Sequence, residues 1–263
     1  MKILTISLAS GEQYNYGRFE IDKFLRKNYE IDHLIIKKKQ NKLVIFNVFK
    51  IFYKLFILQK KGKLYKFIQN KLDYITNFKI ISKYNSELQH NINCNFSQLY
   101  ENKKDDNIIF TFNINKYLSS LAKYQYDILV VLGGSYIFKE NLDKFKYKFN
   151  LHLGFLPNYK GCRTIECALL KQDLSKVGFT IHNLTSKLDG GSILYRCSIN
   201  CYSEKSISKI YTECFTKGFQ KIIEIIKNID RTDAFINRGG EMYDYYFFNS
   251  KKFKKLLEMG YFP

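Results

Sequence analysis

Residues 150–161 read Asn-Leu-His-Leu-Gly-Phe-Leu-Pro-Asn-Tyr-Lys-Gly, and Leu188-Asp189-Gly190-Gly191 follows, with Asp189 thirty-seven residues after the histidine. Asn150 and His152 are two positions apart, so on an extended strand their side chains share one face. Asp189 arrives from a separate loop. An amide, an imidazole and a carboxylate brought together suit acyl transfer to an amine. The amide can donate to an oxygen that becomes negative, the imidazole can move a proton, and the carboxylate can orient and charge the imidazole. Taken singly, each residue has a plain account: a satisfied asparagine at a strand edge, a structural histidine, an Asp-Gly turn. The weight lies in their order and spacing.

The elements that must position these residues read as alternating strands and helices. Lys2–Ser7 is a short apolar run that suits a buried first strand, Tyr16–Asn28 a following helix, and Tyr29–Ile36 a second strand. Phe78–Lys83 reads as a further strand, and Tyr117–Lys123 closes a helix. Asp127–Leu132 is a near-continuous β-rich apolar run and reads as a central parallel strand buried on both faces. Gly133-Gly134-Ser135 follows it, where open α/β sheets place ligands. Lys148–Phe155 is the strand carrying the asparagine and the histidine, Thr164–Lys171 a helix, and Val177–Leu184 and Ser192–Cys201 two more strands joined through Asp189. Ser206–Ile229 has the apolar spacing of a long amphipathic helix. The expected fold class is α/β, with a mostly parallel central sheet and helices on both faces.

Length and composition fit one domain of residues 1–230 with a C-terminal extension at 231–263; 263 residues with 46% hydrophobic content can bury a real core. No signal peptide or membrane-length apolar run is evident, so a cytoplasmic protein is expected. The six cysteines form no Cys-x-x-Cys pair and read as reduced thiols, and the four scattered histidines give no metal site. The charge is +19, and more than half of it comes from residues 33–72, which hold eleven lysines and no acid. Within that window, residues 41–70 interleave lysines with large apolar residues as a basic apolar insert. Three accounts of it stay open: packing on the domain with a solvated lysine face, contact with an anionic membrane surface, and, last, contact with nucleic acid.

The motif set resembles the folate-dependent formyltransferases. Their pattern of Asn-x-His, Leu-Pro-x-Tyr-x-Gly and Leu-Asp-x-Gly is matched by Asn150-Leu151-His152, Leu156-Pro157-Asn158-Tyr159-Lys160-Gly161 and Leu188-Asp189-Gly190-Gly191. Ala168-Leu169-Leu170 and Val177-Gly178-Phe179-Thr180-Ile181 match the family's helix and strand between them. The similarity covers about residues 127–194. Leu153 and Gly154 stand where many members have proline and serine, and this variation is most like the amino-sugar N-formyltransferases.

The resemblance implies a Rossmann-like formyltransferase fold and N10-formyltetrahydrofolate as co-substrate, with no metal. It implies Asn150, His152 and Asp189 as the catalytic trio. Gly133, Gly134, Ser135, Tyr136, Ser186 and Leu188 become the expected folate-binding residues, and Tyr159 and Arg163 the residues expected to meet the acceptor. The acceptor implied is the amine of a nucleotide-linked amino sugar used for surface polysaccharide (lipopolysaccharide or O-antigen). By analogy, a homodimer through elements of Ser192–Pro263 is also expected. Glycinamide ribonucleotide, methionyl-tRNA and water (a formyltetrahydrofolate hydrolase) remain alternative acceptors. A folate-fold binding protein held at a membrane or a nucleic acid is the non-enzymatic alternative. The 34 residues after Ile229 are fewer than the C-terminal β-barrel of the tRNA enzyme needs.

Overall fold

A computed structural model describes residues 1–9, 11–37, 78–99, 107–133, 136–243 and 247–263. The basic insert at 41–70, together with Gly134 and Ser135, lies outside the described residues.

Two runs of apolar residues build the centre. Lys2–Leu8 (β1) is buried at its five middle positions, and Ile128–Val131 (β4) is buried at all four. Successive side chains of β4 leave on opposite faces, as a pleated strand requires. Ile128 and Val130 join one hydrophobic cluster, and Leu129 and Val131 join the other. A strand covered on both sides must be apolar throughout, and this one is.

Around that centre lie Glu30–Ile36 (β2), Ile108–Thr111 (β3), Tyr147–His152 (β5), Gly178–Asn183 (β7) and Ile193–Ser198 (β8), in sheet order β3-β2-β1-β4-β5-β7-β8. From β3 to β5 all pairings are parallel; β7 runs antiparallel to β5, and β8 antiparallel to β7. The chain moves outward from β1 to β2 and β3, then returns to the other side of β1 with β4. That reversal makes a crevice at the carboxyl ends of the strands. A separate pair joins Tyr159–Gly161 (β6) to Glu241–Tyr243 (β9).

One cluster is covered by Glu12–Leu25 (α1), Phe78–Ser97 (α2) and Ile207–Lys227 (α6), which pack on one another. The other lies under Ile114–Ser120 (α3) and the short turn Lys139–Leu142 (α4). Helix α6 holds because Ile207, Ile210 and Cys214, then Phe215, Phe219, Ile222 and Ile226, recur every three or four residues on its buried face. Its N-terminus is capped by Ser206, whose hydroxyl accepts the Lys209 N–H at 3.4 Å.

Most expected elements appear within a few residues of their expected bounds, including Thr164–Leu170 (α5). The strand expected at Phe78–Lys83 is a correction: these residues open the twenty-residue helix α2. The six-residue window looks β-rich, but the buried positions Ile81, Tyr84, Leu88, Ile92 and Phe96 follow a helical period over a longer span.

The C-terminal residues join the same core. Phe253 and Leu256 of Ser250–Glu258 (α7) are buried, and the Phe253 ring lies 4.3 Å from that of Tyr84. Phe235 bridges Ile193 through two backbone hydrogen bonds of 2.7 and 2.9 Å.

Phe219 is fully buried where α6 meets α1, with ring centroids 5.7 Å from Phe215 and 6.1 Å from Tyr16. Phe219→Ala is expected to lower the unfolding free energy by about 3–5 kcal/mol. Urea denaturation checks this, and a loss below about 1 kcal/mol would show that the crossing is not close-packed.

Candidate active site

Asn150 and His152 lie on β5 with one residue between them, and the antiparallel partner β7 sets what stands opposite. The register pairs Asn150 with His182 and His152 with Thr180. The chain leaves β7, turns, and enters β8, and Asp189 sits in that connection with φ 47°. An aspartate tolerates this left-handed backbone better than most residues. The Asn237 amide nitrogen holds the turn by donating to the carbonyls of Asp189 (2.9 Å) and Gly191 (2.8 Å).

The Asp189 carboxylate is 7% exposed. Its Oδ2 accepts the Gly161 N–H at 2.7 Å and lies 3.6 Å from His152 Nδ1, while its Oδ1 lies 3.7 Å from His182 Nε2. Burial by itself would raise the Asp189 pKa. The groups packed around it, with the Gly161 N–H donating directly, outweigh it and hold the carboxyl below its ordinary value. Gly161 has φ 94°, and a Cβ there would strike the Tyr243 carbonyl, so this donor has to be a glycine.

His152 sits behind the carboxylate. Its Nε2–H donates to the Tyr159 carbonyl at 2.9 Å, which leaves Nδ1 facing Asp189. Burial lowers its pKa from the ordinary 6.5, and the Asp189 charge offsets only part of that effect. At neutral pH the ring is therefore a neutral base whose open nitrogen faces a negative charge. It is equipped to receive a proton at Nδ1. Its other N–H is already committed to a backbone carbonyl and is not free for a substrate oxygen.

Gly154 gives the ring its room: a Cβ there would stand 2.5 Å from His152 Nε2 and 2.6 Å from Thr164 Oγ1. Thr180 ties the following loop to β7, donating to the Gly154 carbonyl at 2.7 Å and accepting the Leu156 N–H at 3.0 Å.

A pocket of about 250 Å³ opens at this end of the sheet. Val131, Ile137, Leu142 and Leu184 form apolar wall, and Asn150, His182 and Asp189 supply polar groups. That combination suits a flat heterocycle with one reacting polar edge. Of the residues expected from sequence to bind folate, Tyr136 and Leu188 line the pocket, and the Tyr136 hydroxyl donates to the Ser186 carbonyl at 3.0 Å. Gly133 follows β4, where an added Cβ would meet the Tyr14 ring, and it is not part of the wall.

Tyr159 and Arg163 lie elsewhere. The buried Tyr159 ring stacks on Tyr243 at 5.8 Å, and its hydroxyl donates to Asp173 at 3.1 Å. The Arg163 guanidinium donates to Glu166 at 3.1 Å and to Asn85, over the face of Phe248. That glutamate is fully buried and also accepts the Tyr211 hydroxyl at 2.7 Å. Neither side chain reaches the pocket wall. Sequence reasoning missed His182 and Asn237. The only available signal for His182 was its place on a strand paired with the Asn150 strand, and the register of that pairing has no local signature.

Among the described residues no helix is long and apolar enough to cross a membrane, and no group of three His, Cys, Asp or Glu side chains stands close enough to hold a metal.

Residues 97–226 match the family model described as formyl transferase. A bifunctional polymyxin resistance protein ArnA from Wigglesworthia glossinidia brevipalpis is 31% identical over 140 residues, which are 49% of this chain and 21% of that protein. A methionyl-tRNA formyltransferase from Protochlamydia amoebophila is 27% identical over 113 residues, 42% of this chain and 35% of that protein. The match thus spans about a fifth to about a third of the length of these curated relatives. A 4-N formyltransferase from Francisella tularensis has the same fold, with a TM-score of 0.58 at 12% identity over 94% of this chain and 77% of that one. So does the formyltransferase PseJ from Anoxybacillus kamchatkensis, solved with UDP-4,6-dideoxy-4-formamido-L-AltNAc and tetrahydrofolate. It has a TM-score of 0.50 at 18% identity, over 98% of this chain and 90% of that one.

The His152 ring is expected to titrate with a midpoint below 6.5 in an NMR pH series. Asp189→Asn should move that midpoint lower still, because it removes the charge that opposes desolvation. A midpoint that rises in Asp189→Asn would contradict this electrostatic account.

Proposed function

We propose that this chain, whose residues 97–226 match the family model described as formyl transferase, moves a formyl group from N10-formyltetrahydrofolate to the primary amine of a nucleotide-linked amino sugar. The observation that carries the reading is the convergence of Asn150 and Asp189 in the wall of one apolar pocket, with the neutral His152 directly behind Asp189. The pocket fits the pterin end of a folate: its walls are largely apolar, Tyr136 adds an aromatic ring, and the polar groups cluster together.

When bound, the folate supplies an activated one-carbon acyl group, and the protein's residues do the rest. Asn150 donates a side-chain N–H to the formyl oxygen as it gains negative charge, a contribution of about 3–4 kcal/mol for a well-placed donor. His152 receives the proton of the attacking amine at Nδ1, relayed past Asp189 through a water. Asp189 holds that imidazole and stabilises its charged form, as the orienting carboxylate of an acid–base pair does. Low solvent access strengthens each of these effects.

The acceptor rests on two supports. The structure of PseJ holds a UDP-linked formamido sugar, and the fold likeness to it covers nearly the whole chain. The Gly154-Phe155 variation after the histidine resembles the sugar-modifying members. A methionyl-tRNA acceptor is the second reading, supported by the match to the Protochlamydia amoebophila enzyme.

Purified protein mixed with N10-formyltetrahydrofolate and a panel of TDP- and UDP-linked amino sugars, glycinamide ribonucleotide and methionyl-tRNA tests the proposal. One sugar acceptor is expected to gain the mass of a formyl group while tetrahydrofolate is released. Asn150→Ala should lower kcat by about 10²–10³-fold with little change in KM. Formylation of methionyl-tRNA alone would replace the sugar reading, formate release without any amine would indicate a hydrolase, and no folate binding at all would overturn formyl transfer.

A further inference from the structure

We propose that His182 is a positioning residue for this reaction: it sets which end of the Asn150 amide faces which way. An asparagine amide can turn by half a revolution with almost no change of shape, so packing does not choose between its two orientations. Hydrogen bonding must choose. His182 Nδ1 lies 2.8 Å from the Asn183 carbonyl oxygen, and a carbonyl oxygen only accepts, so Nδ1 carries the proton. Nε2 of the same ring lies 3.1 Å from Asn150 Nδ2, and an amide nitrogen only donates, so Nε2 is bare. The sequence of donors and acceptors is closed: Asn150 donates to His182, and His182 donates to the backbone of its own strand.

The consequence falls on the catalytic amide. With Nε2 bare, a reversed Asn150 would put its carbonyl oxygen against a nitrogen lone pair, which is repulsive. The Nδ1–H tautomer therefore admits one orientation, in which one amide N–H is spent on His182 and the second stays available. Asp189 Oδ1 is an acceptor that could draw the ring proton to Nε2, but at 3.7 Å it lies outside hydrogen-bond reach. His182 is 1% exposed and stands directly across from Asn150 in the register, so neither partner can drift without breaking the pairing of β5 with β7. Side chains that fix a tautomer or an amide from behind the reacting groups are a general means of preorganisation.

The proposal rests on the reading that Asn150 donates to the developing oxyanion, and the experiment separates the two. Nitrogen-15 spectra of the wild-type protein report the His182 tautomer without any turnover: protonated Nδ1 and bare Nε2 are expected, and a proton on Nε2 overturns the proposal. Kinetics then compare His182→Phe, His182→Gln, Asn150→Ala and the double variant Asn150→Ala/His182→Phe, each checked by thermal melting and folate binding. His182→Phe is expected to lower kcat about 10–100-fold, with KM values within about threefold. His182→Gln, whose carbonyl can accept the amide N–H, should recover part of the loss. In the Asn150→Ala background, His182→Phe should cost less than about twofold more. A full additive loss in the double variant, or wild-type kcat in a folded His182→Phe, overturns the proposal. A wild-type protein with the expected tautomer but no formyl transfer leaves the hydrogen-bond device standing and sinks the reaction assigned to it.

Discussion

A carboxylate withdrawn from water must find donors or opposite charge, or it will not stay ionised, and Asp189 is such a group. The N–H that it accepts comes from Gly161 in β6, and the rings packed beside it, His152 and His182, come from β5 and β7. Asn237, from the C-terminal stretch, holds its backbone. These segments are brought together only when the sheet is complete, so the charged state of Asp189 and the order of the surrounding strands are one property seen twice. The same carboxylate then limits how far burial can depress His152. The pair sits in the balance that a proton relay requires, a neutral base held against a negative charge.

The change from parallel to antiparallel pairing at β5 is what gathers the site. Parallel strands β1, β4 and β5 all point their carboxyl ends at the crevice, which delivers Val131 and Asn150 to the same rim. An antiparallel β7 starts from that rim and runs back, placing Thr180 and His182 across from His152 and Asn150. A slip of one residue in this register would turn His182 to the opposite face and leave Asn150 against Ile181 or Asn183 instead. Thr180 guards the register from the other side, since its hydroxyl bonds both the Gly154 carbonyl and the Leu156 N–H.

The residues after 231 take part in the same construction. They supply β9 as the partner of β6, and they seat Phe253 and Leu256 against the main core. The stretch expected from sequence as an extension is therefore in contact with the loop that carries Asp189 and with the segment that bonds His152.

Several features were legible in the residues alone, because each depends on near neighbours. The runs Lys2–Ser7 and Asp127–Leu132 announce buried strands by being largely apolar without alternation, Ile128–Leu132 entirely so. Ser206–Ile229 announces a helix by its three-and-four spacing, and Asn150, His152 and Asp189 stand out through their order within a motif set. Where a local window was too short, the reading failed: Phe78–Lys83 looked like a strand until the helical period extended to Phe96. Ile108–Thr111 escaped notice as a four-residue edge strand with Phe110 54% exposed. The chemistry available to this protein was thus written in residue types and short spacings. Which groups meet was decided by the fold: His182 against Asn150, the Tyr159 carbonyl on His152, Arg163 turned into a buried pair with Glu166. Those meetings depend on strand register and chain reversal across dozens of residues, and hydrophobic periodicity carries no information about which residue of one strand stands opposite which residue of the next.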